Sequence, residues 1–206
     1  MSEHEQTIRM YTASPVLFVV EGKNDIEFLK RISTLLHQHD QTLPDLNLLE
    51  RQGRIVFVPF GGGRISDWTD RLAPLGCSEL HLYDCEVPPE TELRRKAAEA
   101  VNSRKNCHAF VTAKRSIENY LHPSAILSSE GISVEYDDFN PAADFVAKAI
   151  YKRDVDGVAW EFLPRRSRKR RINRVKSRLN STAVEAMTFD MLHERDPDGE
   201  IISWLV

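Results

Sequence analysis

Two acids close two apolar runs in this chain. Glu21 follows Val16-Leu17-Phe18-Val19-Val20, and Asp84 follows Leu80-His81-Leu82-Tyr83. Each has a second acid close behind, Asp25 and Glu86. Acids at strand ends and helix starts are common, because Asp and Glu cap helix N-termini and suit the helix dipole. The joint pattern asks for more than capping. If both runs are neighbouring strands of one parallel sheet, these carboxylates converge at the carboxyl edge, where such sheets bind ligands. A spacing of two also puts Asp84 and Glu86 on one face, provided the backbone stays extended. Carboxylates so close repel one another unless a cation neutralises them, and oxygen-only ligation favours a hard ion such as Mg²⁺ or Mn²⁺. Glu21, Asp25, Asp84 and Glu86 are therefore candidate metal ligands.

The elements that must position these acids are legible from periodicity. Residues 15–20 form a continuous β-rich run suited to a strand buried on both faces, punctuated by Glu21-Gly22-Lys23. From Asn24 the positions Ile26, Phe28, Leu29, Ile32, Leu35 and Leu36 recur at helical spacing. The unit repeats with a strand over residues 54–60, the turn Gly61-Gly62-Gly63 and a helix over 66–72. It repeats again with a strand over 79–83 and a helix over 90–101 that Pro88 and Pro89 introduce; residues 108–112 supply a fourth strand. Strands alternating with helices predict an α/β, Rossmann-like fold with a four-stranded, mainly parallel sheet flanked by helices. Beyond Ser116 the chain reads as helices over 117–121, 142–151 and 166–179 and short ones around 183–192, with Pro123, Gly131 and Pro141 marking a soft boundary. The expected organisation is a lead over 1–14, an α/β domain over 15–122, and a helical C-terminal region over 123–206 packed on it.

Charge is unevenly spread. Residues 165–178 hold nine Lys or Arg and no acid, and removing those nine charges from the chain total of −3 leaves −12 on the remaining 192 residues. On a helix Arg166, Arg170, Arg174 and Arg178 form one ridge, while Ile172, Val175 and Leu179 make an apolar stripe that docks on the body. Such a face, with Lys169 beside it, suits phosphate tracking and makes nucleic acid the expected partner; the bland reading is a solvated or self-paired face. A lysine near the acids could stabilise charge on a phosphate, and Lys23, Lys114, Lys169 and Lys176 are candidates. His81, inside a strand, reads as packed, and Tyr120 and Trp160 read as core. Cys77, Cys85 and Cys107 have neither the even number nor the spacing of a disulfide or zinc framework. No apolar run approaches the length of a membrane span, and Met1 to Glu5 lack a secretory pattern. A cytoplasmic protein without a membrane partner is expected.

These residues also carry a family resemblance. Val16 to Asp25 resembles the first motif of TOPRIM domains, a hydrophobic strand ending in Glu-Gly with an acid following. Leu80 to Glu86 resembles their second motif, Asp-x-Asp, with Glu86 where the pattern usually has Asp. Arg115-Ser116-Ile117-Glu118-Asn119-Tyr120-Leu121 is similar to a segment in the C-terminal nuclease region of OLD-family endonucleases. The resemblance implies a metal-dependent fold acting on nucleic-acid phosphodiesters. It casts Glu21 as metal ligand or general acid/base, Asp84 and Glu86 as metal ligands, and Glu118 as a further acid at the site. It favours Lys176 among the lysines, because OLD-type nucleases place a functional lysine in the corresponding helical region. OLD-family proteins join this region to an ATPase, but no Gly-x-x-x-x-Gly-Lys-Ser/Thr run exists here; Gly61-Gly62-Gly63-Arg64 reads as a tight turn, so an ATPase would be a separate partner.

The expected function is a Mg²⁺- or Mn²⁺-dependent nuclease, DNA ahead of RNA, working with a separate ATPase in defence against phage or plasmids and able to form homo-oligomers. The alternatives are a latent nucleic-acid-binding or partner-binding module and a small-molecule enzyme on a doubly wound sheet. The latter finds no Gly-x-Gly-x-x-Gly fingerprint at the first turn.

Overall fold

Short apolar runs alternating with amphipathic stretches build a parallel sheet with helices on both faces. The computed structural model describes residues 14–205. Its strands, β1 (Val16–Val20), β2 (Ile55–Pro59), β3 (Glu79–Tyr83) and β4 (Cys107–Val111), lie in the order β2-β1-β3-β4 and all pair in parallel. Strand β1 is central, with Leu17 to Val20 buried, so neither of its faces tolerates polar alternation. Helix α1 (Lys23–His39) buries Phe28, Leu29, Ile32 and Leu36 in the cluster holding Phe18 and Val20. The short helix α2 (Leu46–Arg51) adds Leu46 to that cluster. On the other face, α3 (Glu90–Asn102) brings Ala97, Ala98 and Val101 against Val19, Tyr83 and Ala109.

The remaining helices are α4 (Pro123–Glu130), α5 (Ala142–Asp154), α6 (Arg165–Arg178), α7 (Phe189–Arg195) and α8 (Glu200–Ser203). They share the α1-side core: Ile126, Val146, Val175, Leu179, Leu192 and Trp204 lie in one buried cluster with Phe18. Tyr120 and Trp160 are core residues, as their surroundings in the sequence suggested.

Several expected elements differ in detail. The helix expected over 66–72 is two 3-10 turns, Ile65–Trp68 and Ala73–Leu75. Thr69 Oγ1 donates to Ser66 O, and Pro74 has no N–H to continue a helix, so the chain tightens rather than propagating. Residues 117–120 are likewise a 3-10 turn. The short helices expected around 183–192 are two separate pieces: α6 runs on through a π-turn at Leu179–Ala183, and α7 starts separately with Thr188 as its cap. Pro123, read as an interruption, is the first residue of α4.

Strand β3 carries an unusual interior. Glu79, His81 and Tyr83 point to one face and are buried there. His81 Nδ1 contacts Tyr83 Oη at 2.7 Å and Nε2 contacts Glu79 Oε2 at 2.9 Å; Arg104 caps the row with a two-pronged pair to Glu79. Burial holds His81 below its ordinary pKa, so His81 is packed and satisfied, not a metal ligand. Among the described residues no helix is long and apolar enough to cross a membrane. The lead over 1–14, residue 14 apart, and the reading of Met1 to Glu5 lie outside the described residues.

Candidate metal centre

Glu21 leaves β1 one residue beyond its end, and the glycine turn after β2 closes on it. Phe60 N–H donates to Val20 O at 2.9 Å and Gly61 N–H to Glu21 O at 2.8 Å, extending the β1–β2 ladder past the strands. Gly61 and Gly62 have φ of 75° and 72°, a backbone that a side chain would strain. A Cβ on Gly62 would stand 3.8 Å from Glu21 Oε1. The turn therefore shapes the wall beside that carboxylate.

Beyond β3, Asp84 and Glu86 reach the same spot by a route the spacing did not suggest. Cys85 N–H is taken by Thr112 Oγ1 at 2.8 Å, and Glu86 N–H donates to Arg115 O at 2.8 Å. Glu86 turns left-handed there, with φ 56°, so the extended course expected from the two-residue spacing is not followed. The carboxylates meet all the same. Among the described residues, Glu21, Asp84 and Glu86 form the group of acids whose ligand atoms all lie within 4.8 Å of one another. Asp25 stands beside this group instead of within it. One of its oxygens, Oδ2, accepts the Gly22 N–H at 2.7 Å and closes the first turn of α1.

Behind the acids lies a second layer. Asp84 Oδ1 accepts from Ile117 N–H at 3.0 Å, which joins β3 to the segment carrying Glu118. Glu118 is buried, accepts from Ser116 Oγ at 2.7 Å and Asn180 Nδ2 at 2.8 Å, and faces Lys176 Nζ at 3.6 Å. The π-turn after α6 places Asn180 there. Glu118 is the main cause holding the Lys176 ammonium charged, against the cost of its burial, with Asp84, Glu21 and Asp25 adding to it. The whole forms a cleft of about 600 Å³ lined by Glu21, Asp25, Asp84, Glu118, Lys169 and Lys176.

Three of the acids, Asp25, Asp84 and Glu86, titrate high. Burial raises Asp84 well above the carboxylate range, with Asp25 and Glu118 adding and Lys176 opposing. Burial, then Glu21, raises Glu86. Asp25 is pushed up to about 7, by burial first, then by Glu118 and Glu21, against the Gly22 N–H. Hard oxygen donors with raised proton affinity at close range fit a divalent cation. The sign of the pH dependence follows. Without metal the folded chain holds protons that the unfolded chain has lost, so this cluster's contribution to stability falls as pH rises from the ordinary carboxylate range towards about 7. A bound cation must displace those protons. Affinity for Mn²⁺ or Mg²⁺ is therefore expected to be higher at about pH 8 than at about pH 6 in calorimetric titrations; equal affinities would remove these acids from the site.

The cationic helix divides its labour. Arg166, Lys169, Arg170 and Arg174 are exposed, and Lys169 also lines the cleft. Arg178 is not part of that free row: its Nε lies 2.9 and 3.0 Å from the Glu130 oxygens, and Nη2 at 2.8 Å. Glu130, with 6% of its side chain exposed, is bound to it as the bland reading of a self-paired face had it. Arg178→Ala is expected to cost about 1–3 kcal/mol by leaving Glu130 unpaired, read by urea unfolding. Arg170→Ala is expected to leave stability within about 0.5 kcal/mol in the same measurement.

Of the other lysines, Lys114 is engaged elsewhere, 2.5 Å from Asp138 Oδ1 and over the Tyr120 ring, while Lys23 is exposed at the rim. Asn173 and Asn180 were missed, although 169, 173, 176 and 180 step by three and four along one helical course and so share a side.

No family model matches the chain, and no curated protein does. The similarity that exists is structural. Solved structures of the C-terminal region of the Xanthomonas campestris pv. campestris OLD protein are similar to this chain. The one phased with iodine is 12% identical, with a TM-score of 0.48, and the match covers 94% of this chain and 97% of that one. The one phased with platinum is 13% identical, with a TM-score of 0.49, covering 95% of this chain and 93% of that one. The likeness is one of fold.

Proposed function

We propose that this protein is a divalent-metal-dependent nuclease hydrolysing phosphodiester bonds of nucleic acid, DNA ahead of RNA. The observation that carries the reading is the gathering of Glu21, Asp84 and Glu86 within 4.8 Å from two different strand ends. The exposed row of Arg166, Arg170 and Arg174 near that cleft supports a polyanionic substrate. Glu21, Asp84 and Glu86 would hold Mg²⁺ or Mn²⁺, with Asp25 next to them. Such an ion supplies Lewis-acid polarisation of the phosphoryl oxygen and lowers the pKa of an attacking water.

The chain's own groups do the rest. Lys176 meets negative charge as it builds on the phosphoryl oxygens, and Glu118, Ser116 and Asn180 act as positioning residues that hold the ammonium in place. Lys169 and the arginine row hold the strand by its phosphates without reading bases. Purified protein incubated with plasmid and with RNA in Mg²⁺ or Mn²⁺ is expected to cleave, and Glu21→Gln to cleave neither. Cleavage that survives this substitution overturns the reading. A second reading, a binding module latent until it meets a separate ATPase, rests on the cationic row alone and predicts gel shifts without cleavage under any divalent ion.

A further inference from the structure

Phe139 is 56% exposed, yet the loop that presents it is firmly tied. Asp137 Oδ1 accepts the N–H groups of Phe139 and Asn140 at 2.8 and 2.7 Å. The fully buried Asn119 donates to Asp137 O and Asn140 O at 3.0 and 2.8 Å. Arg115 holds the loop twice, from its N–H to Asp138 O at 2.8 Å and from Nη1 to Phe139 O at 3.3 Å. Lys114 and Arg195 pair with the Asp138 carboxylate at 2.5 and 3.2 Å. A ring on a loose loop can fold back onto apolar surface. Here the backbone is fixed, so the ring stays in water and gains nothing for the fold.

The tie leads straight to the metal centre. The same Arg115 guanidinium that holds Phe139 O has its Nε 3.9 Å from Glu86 Oε2. Further along, Phe145 on the first turn of α5 is 42% exposed, and Phe162, just ahead of α6, is 82% exposed. These two are linked: Lys148, one turn beyond Phe145 on the same side of α5, pairs at 2.5 Å with Glu161, the neighbour of Phe162. Three exposed phenyl rings thus stand on segments tied to Glu86, through Arg115, and to the start of the cationic helix, through Lys148 and Glu161.

We propose that these rings form a stacking surface for unpaired bases, so that the nucleic acid handled here carries a single-stranded segment such as a strand end, flap or bubble. The inference rests on nucleic acid being the substrate. An uninterrupted duplex keeps its bases stacked on one another and offers this edge mainly phosphates, for which the arginine row suffices. Unpaired bases have free π-faces, and an aromatic ring accepts any of them. The exposed Arg166, Lys169, Arg170 and Arg174, with no acid in 165–178, favour a polyanion over a protein as the occupant.

The test uses the full chain in chelator at low salt, with two fluorescent probes: a single strand containing 2-aminopurine and the blunt duplex of the same sequence. Phe139→Ala is expected to lose about tenfold in affinity for the single strand and the 2-aminopurine quenching with it. Its duplex affinity and melting temperature match wild type, and Phe139→Trp restores both single-strand signals. Unchanged single-strand affinity in Phe139→Ala overturns the proposal and leaves the edge as a protein-docking surface. Failure of the wild-type chain to bind the single strand overturns it as well. Because binding is read without metal, a protein that stacks bases but cleaves nothing keeps this inference and sinks the nuclease reading, while one that cleaves with Phe139→Ala unaffected does the reverse.

Discussion

Asp84→Asn is expected to raise the melting temperature of the metal-free protein at about pH 8 by roughly 2–4 °C, while erasing any further rise on adding Mn²⁺. Asp84 is buried between acids, and ionising it there works against burial and against Asp25, Glu118 and Glu21. The amide removes the charge but keeps the shape, and its oxygen still accepts the Ile117 N–H that Asp84 Oδ1 takes at 3.0 Å. The native carboxyl holds its proton more fully at about pH 5 than at about pH 8, so the gain shrinks as pH falls. Thermal melts in chelator and in Mn²⁺ at both pH values check this. A variant that melts lower than wild type throughout, or that still gains from Mn²⁺, would show that Asp84 is a fold residue and not a ligand. The expected combination, more stable and unresponsive to Mn²⁺, is the signature of a group kept for function at a cost to folding.

Lys176→Met is expected to lower kcat by about 10²–10³ with KM for nucleic acid changed only a few-fold. Its ammonium lies over the acids and 3.6 Å from Glu118 Oε2, inside the cleft, whereas Arg166, Arg170 and Arg174 stand outside it. Loss of the ammonium also leaves the three clustered acids with less positive charge nearby, so the Mn²⁺-induced rise in melting temperature is expected to grow rather than shrink. Steady-state kinetics separates the cases. A rise in KM with kcat intact would make Lys176 one more phosphate-holding cation.

Much of the α/β half was legible because its rule is local. Residues 16–20 and 79–83 are unbroken strands ended by polar residues, and the acids sit where a parallel sheet exposes its carboxyl edge. What could not be read depends on distant partners. Arg178 lies on the same helical ridge as Arg174, but Glu130, forty-eight residues earlier, takes it out of the cationic row. Glu86 reaches Glu21 through a left-handed turn fixed by Arg115 O, which no two-residue spacing reveals. Pro123 looked like a break because proline stops helices from within, yet at the first position its missing N–H costs nothing. The asparagines at 173 and 180 were open to a reading that followed polar as well as basic residues around the helix.

The polar file along β3 bears on how the chain finds its register. In an all-apolar strand, a shift by one residue still offers oily side chains to both layers, and the wrong pairing differs little from the right one. Glu79, His81 and Tyr83 remove that ambiguity, since a slip would bury a carboxylate away from Arg104 and turn the imidazole towards the wrong layer. The same slip would swing Asp84 to the opposite side of the sheet from Glu21. Arg104, near the foot of the strand, thereby favours the register that puts an acid in place at the strand's other end.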